Sequence, residues 1–168
     1  WFRYGGSNPA FRQTLRMTDL LRPPPPAMRL RMDGEALAVN WRMLDAMSGA
    51  ASAGAAVKAN AYGLGAARAV QVLAQAGCRD FFVAHWAEAI DLLPHVAAEN
   101  IAVLNGPLNE HDVAFAQQTG VMPVLNSLSQ VRLWQAGGGG PCHLMVDTGM
   151  NRLGIGMDDL GAIAIAQL

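Results

Sequence analysis

The sequence has little charge, little cysteine and no long apolar run, and each shortage excludes a class of protein. Only 15% of its 168 residues are charged and the formal net charge is −1, which does not fit a nucleic-acid-binding surface. Two isolated cysteines do not make a disulfide framework, so a reducing compartment is expected. No apolar run approaches the roughly eighteen residues of a membrane span. We therefore expect a cytoplasmic protein without a membrane segment or a nucleic-acid partner.

Lysine is almost absent as well. Of the twelve basic residues only Lys58 is a lysine. An arginine-biased composition could leave one lysine by drift, or the position could require a primary amine for chemistry such as a Schiff base. The flanks favour chemistry, because small apolar residues 55–57 precede Lys58 and the turn formers Asn60, Gly63 and Gly65 follow it. Lys58 is therefore predicted at the carboxyl end of a strand, where active sites of parallel α/β proteins collect.

Short apolar runs alternate with helical patterns along the chain, roughly every 20 to 25 residues. The predicted strands are 28–32, 55–60, 81–84, 101–104, 123–125 and 143–146. The predicted helices are 34–48, 65–76, 87–93, 109–118, 127–135 and one from about residue 158. The strands from 55 onward are short apolar runs rather than alternating patterns, as expected in a parallel sheet buried on both faces. Five such units make either a small open sheet or the first part of an eight-stranded barrel, which needs roughly 250 residues.

Two motifs resemble those of a known family. Residues 55–65, AAVKANAYGLG, resemble the cofactor-lysine segment of the alanine racemases, barrel enzymes that use pyridoxal 5'-phosphate (PLP). Residues 143–155, HLMVDTGMNRLGI, resemble that family's substrate-carboxylate arginine motif. The resemblance is strong over 50–156 and fainter over 28–49. It implies an α/β fold made of about the first five units of a (β/α)8 TIM-type barrel, with the family's C-terminal β-domain missing.

The resemblance also implies roles for particular side chains. Lys58 would bind PLP and act as the base on the D-alanine face. Tyr62 would donate a hydrogen bond to the cofactor phosphate, and Arg152 would bind the substrate carboxylate with its guanidinium fork. Asp147 is expected to hold the arginine loop by accepting hydrogen bonds from backbone NH groups. Many family members have a modified lysine seven residues before the arginine, where this sequence has Met145, which offers the arginine no negative partner.

The activity implied is the interconversion of L- and D-alanine, which supplies peptidoglycan precursors. In the family, a tyrosine from the C-terminal portion of the other subunit of a homodimer serves the L-alanine face. Neither Tyr4 nor Tyr62 suits that role, so an incomplete N-terminal portion, inactive alone, is expected. Two alternatives stay open: a PLP-dependent amino-acid decarboxylase of the same barrel class, which shares a Val-Lys-Ala-Asn-like strand end, or a non-catalytic PLP-binding remnant.

The beginning of the chain differs from the rest in charge. Residues 1–31 hold six arginines and one acid, whereas the remainder holds six basic and twelve acidic residues. Such a leader is typical of a transit peptide or of an arm for an anionic partner. Because no cleavage pattern is visible, an extension from upstream of the true start is preferred. We expect a disordered basic leader over 1–27, a stiff proline break at 23–26, and the barrel domain over 28–168.

The histidines do not indicate a metal site, since the spacing of His85, His95, His111 and His143 matches no ligand pattern. His85 ends a predicted strand and is expected on the rim of the site. Glu88 is expected to stabilise the amino end of the helix that follows, where its charge complements the helix dipole.

Overall fold

Five parallel strands, each beside its sequence neighbour, form the main sheet. The computed structural model describes residues 27, 28 and 30–163, and a compact unit begins at Met32. The strands are β1 (Ala55–Ala56), β2 (Phe81–Val83), β3 (Ile101–Val103), β4 (Met122–Leu125) and β5 (His143–Leu144). Their order in the sheet is β1-β2-β3-β4-β5, and all four pairings are parallel. Strands that follow one another in this way confirm the predicted α/β fold and its barrel-like course.

Helices connect the strands and begin and end where the sequence provides caps. The helices are α1 (Gly34–Met47), α2 (Ala66–Ala76), α3 (Trp86–Leu92), α4 (Glu110–Thr119) and α5 (Leu128–Ala136). The side chains of Asp33, Asn109 and Ser127 accept backbone NH groups in the first turns of α1, α4 and α5. Gly77 and Gly120 end α2 and α4 with positive φ, a conformation that costs glycine little.

The apolar core forms two clusters. One packs β1, β2 and β3 against α2 and α3, and its fully buried members include Phe81, Leu92 and Ile101. The other packs Leu125 at the end of β4 with side chains of α4 and α5, among them Trp134. All three residues of β3 are buried, which confirms that the strand is covered on both faces.

The structure corrects four predicted elements. Strand β1 ends at Ala56 instead of residue 60, because the chain turns at Lys58. The predicted strand 143–146 is divided between β5 and β6 (Val146–Asp147). The backbone NH of Met145 donates to Leu125 at the end of β4, whereas its carbonyl accepts from Ile155 in β7 (Ile155–Gly156), so the chain changes partners there. No described residue of 28–32 lies in a strand, and the helix expected from residue 158 is a 3₁₀ segment, Met157–Ala162, within the described residues.

The predicted leader over 1–27 lies outside the described residues, apart from Ala27. Among the residues that are described, no helix has both the length and the apolar character needed to cross a membrane.

Candidate active site at the carboxyl ends of the strands

One pocket lies where the carboxyl ends of the parallel strands meet. Its volume is about 290 Å³, and residues that follow β1, β2, β3 and β5 line it together with the loop between β6 and β7. The lining residues are Lys58, Ala84, Leu104, Asn105, Met145, Arg152 and Leu153. The pocket thus brings together Lys58 and Arg152, two residues far apart in sequence that were singled out from separate motifs.

A helical turn, Lys58–Tyr62, begins at Lys58, and the four residues after the lysine have a left-handed conformation. Ala59, Asn60 and Ala61 have φ of 51°, 53° and 52° with ψ of 47°, 48° and 49°, and Tyr62 has φ of 54°. A left-handed conformation costs an L-residue with a Cβ atom roughly 1–2 kcal/mol. Four such residues in succession persist only where surrounding contacts hold them, and strain of this kind clusters at functional sites.

Contacts at both ends hold this turn. The NH of Ala61 donates to the carbonyl of Val57 at 2.8 Å, and the NH of Val57 donates to Phe82 in β2 at 2.8 Å. The side-chain oxygen of Asn60 accepts the NH of Ala66 at 2.7 Å, which joins the turn to the start of α2. Ala61 is buried in the core, so the turn is also fixed by packing.

Glu88, in the first turn of α3, supplies a further contact to the lysine turn. Its Oε1 accepts the NH of Ala59 at 2.7 Å, and its Oε2 accepts the NH of Ala84 at 2.7 Å and that of His85 at 3.3 Å. Burial raises the pKa of Glu88, but these three backbone NH groups together outweigh it and leave the pKa below its ordinary value. The bonds beside His85 confirm the predicted stabilisation of the amino end of α3 as a capping box. The bond to Ala59 is one that sequence reasoning missed.

Amide side chains join the next strand ends. Nδ2 of Asn126 donates a hydrogen bond to the carbonyl of Leu104 at 2.8 Å. Nε2 of Gln130 donates one to the carbonyl of Asn105, also at 2.8 Å. Nδ1 of His85 lies 3.2 Å from Nδ2 of Asn105, which places this exposed histidine on the rim as expected. Sequence reasoning did not single out these amides, since an asparagine after a strand usually indicates only a turn.

A single carboxylate organises the arginine loop. Oδ1 of Asp147 accepts the NH groups of Gly149 at 2.9 Å, Met150 at 2.8 Å and Asn151 at 3.1 Å, which confirms the predicted role of this residue. The bonds from Gly149 and Asn151 contribute most to holding the pKa of Asp147 below its ordinary value. A Cβ atom at Gly154 would lie 2.6 Å from the nitrogen of Asp147, so the loop can close against β6 only with glycine there.

Met145 and Tyr62, the two remaining residues of the predicted site, differ in their position relative to the pocket. Met145 lines the pocket together with Arg152, as its position in the motif suggested. Tyr62 does not belong to the described lining, and its side chain is 66% exposed. The structure therefore gathers the lysine and the arginine but leaves the tyrosine outside the pocket.

The electrostatics of the pocket favour an anionic ligand. Its described lining contains two cationic side chains, Lys58 and Arg152, and no carboxylate. Leu104, Met145 and Leu153 add apolar surface. By contrast, a larger cavity of about 510 Å³ lies near the amino ends of the strands, and Glu99 is the one charged residue in its described lining. The chemistry-bearing groups therefore collect at the carboxyl edge.

The fold and the site define a class: a parallel α/β-barrel segment with an amine and a guanidinium at its carboxyl edge. Within that class, the family model described as "Alanine racemase, N-terminal domain" matches residues 32–167. Alanine racemase of Rhizobium meliloti (strain 1021) is 43% identical over 140 residues, which cover 81% of this chain and 37% of that protein. A catabolic alanine racemase of Rhizobium johnstonii is 44% identical over 143 residues, 82% of this chain and 38% of that protein. The chain belongs to the alanine racemase N-terminal domain family.

A solved structure agrees with this assignment. Alanine racemase from Bartonella henselae with covalently bound pyridoxal phosphate matches with a TM-score of 0.69 at 39% identity. The match covers 78% of this chain and 40% of that one. The chain therefore spans about two fifths of the length of these relatives, and the expected barrel fold is confirmed for the part that it covers.

Because hydrogen bonds to the ionised form lower the pKa of Asp147, the order of the arginine loop should depend on pH. The stabilisation is present above the ordinary aspartate pKa and is lost as the pH falls through the lowered value in the folded protein. We expect the amide proton shifts of Gly149 and Met150 to titrate with a midpoint below the ordinary aspartate range, and Asp147→Asn to abolish that transition. A midpoint at or above the ordinary value would contradict the role given to Asp147.

Proposed function

We propose that this chain is the lysine-bearing part of a PLP-dependent alanine racemase, an isomerase that interconverts L- and D-alanine. The observation that carries the proposal is the placement of Lys58 and Arg152 in one pocket at the carboxyl edge of the sheet. Membership of the family supports the same reaction, and the relatives named above are alanine racemases.

The residues of the pocket fit PLP. The primary amine of Lys58 suits the cofactor's aldehyde, and the excess of positive charge suits its phosphate. Leu104, Met145 and Leu153 offer apolar surface for the flat ring. When bound, PLP withdraws electrons from the α-carbon of the substrate, so that the proton there can leave.

Arg152 and Lys58 have different proposed roles, in substrate binding and in proton transfer. Arg152 holds the substrate carboxylate through its two-pronged guanidinium and so orients the α-carbon toward Lys58. The Lys58 amine takes or returns the α-proton on the face that it lies against, which by resemblance is the D-alanine face. Met145 cannot pair with the guanidinium, so we propose that the substrate carboxylate itself is the negative partner of Arg152.

We propose that Tyr62 would hold the cofactor phosphate through a hydrogen bond from its hydroxyl. Its side chain is largely exposed and follows the pocket's lysine by four residues, so its hydroxyl is free to donate to an oxygen above the turn. The remaining proposals rest on family resemblance: a cytoplasmic homodimer in which the partner subunit supplies the base for the other face, and D-alanine destined for peptidoglycan.

Within residues 1–168 a label on Lys58 can be read without ambiguity, because it is the only lysine among them. In the full-length protein, Lys58→Arg keeps the positive charge but loses the primary amine, and racemisation should fall at least about a thousandfold. Reduction with borohydride in the presence of PLP should label Lys58, as read by peptide mass spectrometry. The matched control, Arg68→Lys, adds an exposed lysine on α2 that should remain unlabelled. Labelling that favours the added lysine over Lys58 would contradict the assignment of Lys58. A separate substrate assay tests the reaction, since release of carbon dioxide from a basic amino acid would favour a decarboxylase.

Arg152 should act on substrate binding rather than on attachment of the cofactor. Arg152→Lys in the full-length protein keeps the charge but loses the bidentate fork, so the KM for alanine should rise roughly tenfold or more. Labelling of Lys58 by PLP should be unchanged. Arg132→Lys, at an exposed position on α5, is the control and should leave both values as they were. Equal effects of the two substitutions on KM would rule out the carboxylate-binding role.

A further inference from the structure

We propose that Glu88 is a positioning residue for Lys58: its carboxylate bridges the two strand ends beside the pocket and fixes the left-handed turn in which the lysine lies. The role rests on the proposed function of Lys58 and extends it to a residue that does not line the pocket. It differs from the helix-capping role expected from sequence, because one oxygen of the carboxylate binds outside the helix that the residue caps.

The two carboxylate oxygens of Glu88 accept hydrogen bonds from backbone that follows two different strands, β1 and β2. Oε1 accepts the NH of Ala59, the residue directly after Lys58, at 2.7 Å. Oε2 accepts the NH of Ala84 at 2.7 Å and that of His85 at 3.3 Å, at the end of β2. Ala84 also lines the pocket that contains Lys58. The NH of Val57, which donates to Phe82, is the last backbone bond between the two strands. Beyond it, the side chain of Glu88 joins the backbone of the lysine turn to the backbone at the end of β2.

The NH of Ala59 depends on this contact. The first NH groups of any helical turn lack an acceptor within the turn. The other contacts of the turn act further along it, since Ala61 donates to Val57 and Asn60 accepts from Ala66. Glu88 thus binds the residue next to Lys58, Ala59, which is the first of the four residues in the unfavourable left-handed conformation.

A carboxylate is required because both ends of the bridge are donors. Glutamine can present only one acceptor oxygen, and its NH₂ group would face a donor at the other end. If that oxygen keeps the contacts that cap α3, the amide nitrogen meets the NH of Ala59. Glu88→Gln therefore separates bridging from capping, whereas an alanine substitution would remove both.

The next helix offers a matched control. Asp112 occupies the same position in the first turn of α4, where its Oδ2 accepts the NH of Leu108 at 2.8 Å and its own NH donates to Asn109. This carboxylate belongs to a cap, and its hydrogen bonds among the described residues are made within its own helix start and not to the lysine turn. Asp112→Asn thus makes the same chemical change at a cap without touching the proposed bridge.

The experiment compares Glu88→Gln with Asp112→Asn in the full-length protein through two readouts. The first is amide hydrogen exchange of residues 59–63, and the second is the rate at which PLP and borohydride label Lys58. Loss of a hydrogen bond to a charged group should speed exchange roughly tenfold to a hundredfold in Glu88→Gln and slow the labelling. Asp112→Asn should change neither. Glu88→Asp, which keeps the charge but is one methylene too short to reach both ends, should show the same changes and serves if the glutamine variant does not fold.

Equal exchange and equal labelling in the Glu88 and Asp112 variants would overturn the positioning role and leave only a cap. A wild-type protein whose Lys58 takes no PLP would instead refute the proposed function. The exchange readout tests the bridge independently of PLP, so the two failures can be told apart.

Discussion

The left-handed turn that begins at Lys58 is the constraint on which the candidate site depends. Strand β1 is only two residues long, so the turn and its contacts, more than the strand, determine where the lysine lies. Four L-residues in succession adopt a left-handed conformation, which is unfavourable for the two alanines and the tyrosine among them. Core packing of Ala61 and hydrogen bonds from neighbouring elements offset this cost. The candidate site therefore lies beside a strained segment of backbone that the surrounding fold holds in place.

Carboxylates organise both loops of the site without lining the pocket. Glu88 accepts one backbone NH group in the lysine turn and two at the end of β2, and Asp147 accepts three in the arginine loop. In each case the carboxylate binds backbone NH groups, whereas Lys58 and Arg152 line the pocket. The separation keeps the pocket positive, which suits the anionic cofactor and the substrate carboxylate of the proposed function.

Much of the fold follows from local patterns, and the site follows only in part. The order of strands and helices, and the use of Asp147 by its own loop, depend on residues close in sequence and could be predicted. The hand of the turn could not, because Ala-Asn-Ala-Tyr carries only one residue type that favours a left-handed backbone. The bond from Glu88 to Ala59 joins residues 29 positions apart. The break at Met145 depends on β7, which pairs with the chain only after the arginine loop.

The most direct measurement is the free energy of unfolding of Ala59→Gly beside that of Ala114→Gly. Glycine in a right-handed helix such as α4 costs about 1 kcal/mol relative to alanine, so Ala114→Gly should destabilise the protein by that amount. At a left-handed position glycine relieves the clash of the Cβ atom, which offsets its greater freedom in the unfolded chain. The account predicts that Ala59→Gly is neutral or stabilising. Equal destabilisation by the two substitutions would contradict the left-handed turn and the site built on it.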